Sequence, residues 1–192
     1  MKLTIYRKLL LSYLAMALLT VLASAYAIYS LRQLHEIATR IISEDVAVVD
    51  LTKKLIDILI AQQNAERRYL ILRDQTFAEM FQSRDREFKG VIDQLRRNSF
   101  PGVPPALAKI APLQGRYAEV FSREVEFIRG DNDDAAQAIS ETSGKTLIDE
   151  MALQLRDLQK GAERDIDSRL KEIRARGVAA TRLTVVLSTV SL

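Results

Sequence analysis

Three arginines, Arg67, Arg68 and Arg73, crowd the end of one helical stretch. The planar arginine fork matches carboxylate and phosphate groups, so these are the candidate contacts for a small anionic ligand. Beside Glu66, Asp74 and Glu79 the same arginines also read as a solvated face carrying ordinary surface pairs. His35, the only histidine, stands next to Glu36. Such a pair could take a phosphoryl group or titrate near neutral pH; beside an apolar stretch the ring reads as an interfacial side chain. Ser143-Gly144-Lys145-Thr146 is half of a phosphate-binding loop. The full pattern needs glycine where Ile139 stands and a strand upstream, where a helix is expected. Asp131, Asn132, Asp133 and Asp134 lack the spacing and closing glutamate of a calcium loop and read as caps for the helix that follows. There is no cysteine, which excludes disulfides, thiolate metal sites and a cysteine nucleophile. No catalytic set can be assembled, and neither a metal nor a cofactor is expected.

Positioning these residues falls to helices. The 192-residue chain is 48% hydrophobic and 28% charged, with 7 glycines and 4 prolines, which is the composition of a folded helical protein rather than a disordered one. A net charge of +3 without an aromatic-interleaved basic stripe excludes nucleic acid as a partner.

Residues 9–31 contain no charge, and a helix needs about 20 mainly apolar residues to cross a bilayer. Lys2, Arg7 and Lys8 precede the run and place residues 1–8 in the cytoplasm. Tyr6, Tyr13, Tyr26 and Tyr29 sit near its ends, where aromatic rings favour the interface. A cleaved leader ending near Ala25 or Ala27 is the competing reading, but its apolar core is ordinarily shorter and the helical pattern continues through Leu34, Ala38 and Ile41. Residues 183–192 are again uncharged and apolar, and are expected to begin a second membrane helix; a hydrophobic helix packed on the soluble domain is the alternative.

Between these segments, 32–182 shows no strand alternation. Breaks fall at Arg73-Asp74-Gln75-Thr76, with a cap at Asp74 or Thr76, at 98–105, and at 129–134. They predict four helices: one reaching out to 72, one over 76–98, one over 105–129 that Pro112 and Gly115 kink or delay, and one from 133 onward. Leu147, Met151, Leu155, Leu158, Ala162, Ile166, Leu170 and Ile173 form a long seam on the last. The fold expected is all-α, an antiparallel four-helix bundle whose long first and fourth helices continue into transmembrane helices. From 31 to 72 the first helix is about 63 Å long against about 35 Å for the second, which predicts a two-helix stalk. Ile41, Ile42, Val46, Val48, Val49, Ile56, Leu59 and Ile60 then cover too much of the first helix for one partner, so a parallel homodimer is expected.

The layout of basic start, membrane helix, bundle and second membrane helix resembles the extracytoplasmic sensor domains of bacterial chemoreceptors and sensor histidine kinases. In Gln63-Asn-Ala-Glu-Arg-Arg-Tyr-Leu-Ile-Leu-Arg-Asp74, residues Glu66, Arg67, Tyr69 and Leu70 match the close of helix one in that family; Arg68 stands where it often has glycine, and Arg73-Asp74 where it often has a Gly-Asp turn. The resemblance implies a cytoplasmic kinase or methyl-accepting module elsewhere in the parent protein, reached through a HAMP linker. The expectation is a sensory region of a histidine kinase in the bacterial inner membrane, with 32–182 periplasmic and a small anion or a periplasmic protein as stimulus. A chemoreceptor or a membrane-anchored coiled-coil scaffold is the alternative.

Overall fold

The computed structural model describes the backbone of residues 5–190, with side chains throughout 44–175 and at part of 6–39. All regular elements among the described residues are helical. They are α1 (Ile5–Arg40), a π-helical segment (Ile41–Val46), α2 (Ala47–Leu72), α3 (Gln75–Arg96), α4 (Val103–Arg129), α5 (Asp133–Ile139), a second π-helical segment (Ser140–Gly144) and α6 (Lys145–Val190). They divide into two compact units, Met1–Ile41 with Asp167–Leu192, and Ile42–Ile166.

In the first unit, α1 presents Leu10, Leu14, Leu18, Val21 and Leu22 to the outside. Among the described residues, no helix is long and apolar enough to cross a membrane. The spans expected at 9–31 and 183–192 fall partly and wholly, respectively, on residues whose side chains lie outside the described ones.

The second unit is built from hairpins. Arg73 closes α2 in the left-handed conformation (φ 55°), its N–H on the Tyr69 carbonyl at 2.8 Å, and the Asp74 side chain opens α3 by accepting the Thr76 N–H at 2.9 Å. So short a link makes α2 and α3 antiparallel neighbours. At their far end Asn98 Nδ2 donates to the Glu44 carbonyl at 3.0 Å, while its Oδ1 accepts the Phe100 N–H at 2.8 Å. Gln114 reaches Gln62 and Tyr117 reaches Glu66, so α4 advances parallel to α2. A Cβ on Gly102 would sit 3.4 Å from Leu158, and one on Gly144 would sit 3.7 Å from Glu124, so α6 runs antiparallel to α4. One core joins all of them, with Leu55, Leu59, Phe81, Phe88, Leu95, Ile110, Met151 and Leu155 among its members.

The boundaries differ from expectation in four places. The first rod is not one α-helix, since the π-helical segment at Ile41–Val46 divides it, and Ser140–Gly144 divides the fourth in the same way. Helix α4 starts at Val103 and passes unbroken through Pro112 and Gly115. Pro112 and Ala108, whose carbonyl loses its donor, both lie on the exposed face, where water can take the bond. Val48, Val49 and Leu59 are buried in this chain's own core. Val46 and Ile60, of the same set, are exposed; the side chains of Ile41 and Ile42 lie outside the described residues. On the seams, Met80 and Leu170 are exposed.

Candidate functional site

The centre of the second unit contains an acid layer. Glu66 on α2 is 2% exposed and Glu124 on α4 is fully buried. Each lies in a buried series at helical spacing, Leu55-Leu59-Gln62-Glu66-Tyr69 and Tyr117-Phe121-Glu124-Ile128, so helix geometry drives both carboxyls inward. The Tyr117 hydroxyl donates to Glu66 Oε2, and Ser140 Oγ donates to Oε1 at 2.6 Å. A Cβ on Gly144 would stand 3.3 Å from Glu66 Oε1 and 3.7 Å from Glu124 Oε1. Glycine therefore leaves the space that the two carboxyls fill.

Aromatic rings cover one side of the layer. Phe81 stacks on Phe121 at 3.9 Å and meets Tyr117 edge-on at 5.2 Å, while Tyr69 meets Phe121 edge-on at 5.7 Å. Burial, with the neighbouring Glu66, pushes the Glu124 carboxyl far above the usual range, to about 9. The same causes push the Tyr117 phenol up, so it stays a donor. Neither Glu124 oxygen makes a hydrogen bond of normal geometry among the described residues, although the nearby Ser140 hydroxyl opposes part of the upward push. With its proton, Glu124 becomes a donor itself, and Glu66 is the acceptor beside it.

A turn away, Gln114 Nε2 bridges Gln62 Oε1 at 3.2 Å and Asp85 Oδ1 at 2.9 Å, and Lys89 pairs with Asp85 at 2.6 Å. The polar line thus reaches the surface of α3.

Beside the acid layer, α2, the end of α4, α5, the second π-helical segment and α6 line a cleft of about 420 Å³. Leu70, Ile71, Ile128 and Ile148 give it apolar walls, and Gln63, Gln137, Glu141, Arg67 and Lys145 give it polar groups. Glu66 and Ser140 belong to both the cleft and the acid layer. Its size and lining are those of a small-molecule site.

The three arginines point to different surroundings. Arg67 lines the cleft. Arg68 lies over the Phe77 ring at 5.7 Å. Arg73 pairs with Asp133 and, at 3.7 Å, with Asp131, clasping one turn to another. Asn132, not an aspartate, caps α5, accepting the Ala135 N–H at 3.3 Å. His35 is an exposed residue of α1. Among the described residues no group of His, Cys, Asp or Glu could hold a metal. Sequence reasoning missed Glu124, Tyr117, Ser140 and Gly144, and placed Glu66 on a solvated face. The available signal was an acid within each apolar series.

No curated protein and no solved structure matches the chain. A family model does, over residues 38–172, more than half of its length and enclosing the acid layer and the cleft. The chain belongs to the CHASE3 domain family, an extracellular sensor domain found in histidine kinases and chemotaxis receptors.

Proposed function

We propose that this chain is the sensory and membrane-anchoring region of a sensor histidine kinase, with the unit Ile42–Ile166 outside the bacterial cytoplasmic membrane and 9–31 and 183–192 within it. The observation that carries this reading is the CHASE3 match over the same residues that form the helical core. The charge-free run at 9–31, long enough for a bilayer, and the apolar side chains that α1 turns outward support the anchor.

The cleft receives the stimulus. Arg67 and Lys145 line it without an ion pair among the described residues, and suit a small molecule with an acidic group and an apolar body. Such a ligand bridges α2 to the start of α6. Helix α6 runs unbroken to Val190, so a small slide or turn of its first residues is carried along a rod. Packed helices move in discrete shifts of about 1–2 Å. A parallel homodimer gives the two-state partner such shifts bias. A methyl-accepting receptor is the second reading, favoured because the same domain occurs there; phosphate uptake from ATP by the parent protein separates the two.

Topology tests the reading. The chain has no cysteine, so Ser99→Cys, at an exposed loop position, supplies a unique thiol. A membrane-impermeant maleimide should label it in intact cells. Labelling only after lysis would overturn the receptor reading.

A further inference from the structure

The acid layer has more carboxyls than it can charge. Glu66 takes hydroxyl hydrogens from Tyr117 and Ser140, whereas fully buried Glu124 makes no hydrogen bond of normal geometry. The groups facing the pair come from every packed element. From α2 come Glu66 and Arg67; from α4, Tyr117 and Glu124; from the π-helical segment, Ser140 and Glu141; from α6, Lys145. Helix α5 brings Asp133, already held by Arg73, and α3 brings the Phe81 ring, with Asp85 tied to Gln114 and Lys89 a turn away. Arg67 and Lys145 are exposed at the rim. No cation forms an ion pair with Glu124 among the described residues, and two charged carboxylates buried side by side repel.

The two residues against the pair are also the two ends of a π-helical turn, Ser140–Gly144. A π turn carries one residue more than an α-helical register accommodates and is frequent at functional sites. We propose that Glu66 and Glu124 hold one proton between them beside Gly144, and that this proton keeps Ser140–Gly144 in its π-helical register, so that its loss shifts the register and turns α6. A second negative charge in the layer drives Glu124 away from Glu66. The adjoining wall is Gly144 main chain, with no side chain to block the movement, while Ser140 is held by Glu66, so the displacement falls on the turn between them. One residue of register equals about 100° of helix rotation. As a receptor trigger the device rests on the sensory reading above; as a property of the acid layer it does not.

The whole 192-residue chain is purified with isotope-labelled glutamate, and its infrared spectrum followed from neutral to alkaline pH. In parallel, single spin-labelled cysteines at exposed Asp149, Leu153 and Arg156 report the exposed face of α6. At neutral pH a protonated glutamic acid band should be present. It should titrate away under alkali in step with a change in which α6 positions are exposed. Glu124→Gln, which keeps a donor but cannot ionise, should abolish both changes. Ser140→Ala, which removes a hydrogen bond from the acceptor, should move both midpoints upward together, and serves if the glutamine variant does not fold. A missing acid band at neutral pH, or a band that titrates while the exposed face of α6 stays fixed, would overturn the proposal. Either result leaves the thiol-labelling outcome untouched.

Discussion

At the residue scale, Glu124 governs how the fold responds to pH. An unfolded glutamate titrates near 4.5, whereas in the fold burial holds the Glu124 proton up to about 9. Between those values the folded chain binds more protons than the unfolded one, so the contribution is fully present below about 4.5 and is lost as pH rises toward 9. Glu124→Gln should therefore flatten the decline of thermal stability over that window and raise the melting temperature at pH 8. For a chain of this size ~1 kcal/mol corresponds to about 2–4 °C; melting curves at several pH values check it. An equally steep decline in the variant would remove Glu124 as its cause. The sequence displays this residue without explaining it. Glu124 occupies a core position in a plain helical series, but surface glutamates are common, and only the meeting of α2, α4 and the second π-helical segment makes it a buried acid.

At the element scale, the breaks between helices were legible because they rest on local chemistry. Asp74 caps α3 wherever the chain goes next, and Gly130 with Asn132 ends one helix and begins another. The π-helical segments were not legible. Ile41–Val46 carries neither a proline nor a turn signature, and Ser140–Gly144 holds only a Ser-Gly pair, which marks a local break without specifying a widened register. Asn98 connects the two kinds of information. It is a turn residue by type, yet it also holds the Glu44 carbonyl inside the first π-helical segment. Replacing Asn98 with Ala removes both of its bonds and should cost about 1–2 kcal/mol, read as a lower denaturation midpoint. An unchanged midpoint would make the Glu44 latch energetically irrelevant.

At the scale of the whole molecule, the all-helical class, three inter-helix turns and the sensor family follow from composition, helical period and layout. The arginines show the limit of reading types without positions. Adjacent in sequence, Arg67 and Arg68 face different neighbours around α2, one a cleft and one an aromatic ring. Arg73 is taken up in clasping a turn. If the cleft is the receiving site, Arg67→Gln should weaken binding of an apolar carboxylate such as phenylacetate at least tenfold, while Arg68→Gln leaves it unchanged. Calorimetric titration of the whole chain distinguishes them, and equal losses would argue for a diffuse charge effect.

The widened turn at Ile41–Val46 has a genetic corollary. A packed rod elsewhere in the chain cannot lose one residue without throwing its whole buried stripe out of line. A stretch already holding a surplus residue can give it up. Deleting Ser43 should therefore leave a folded protein whose preceding helix is simply re-aimed, while the same deletion in the middle of α4 should not fold. Length changes among natural descendants of this sequence should accordingly gather at such stretches as single-codon gains and losses.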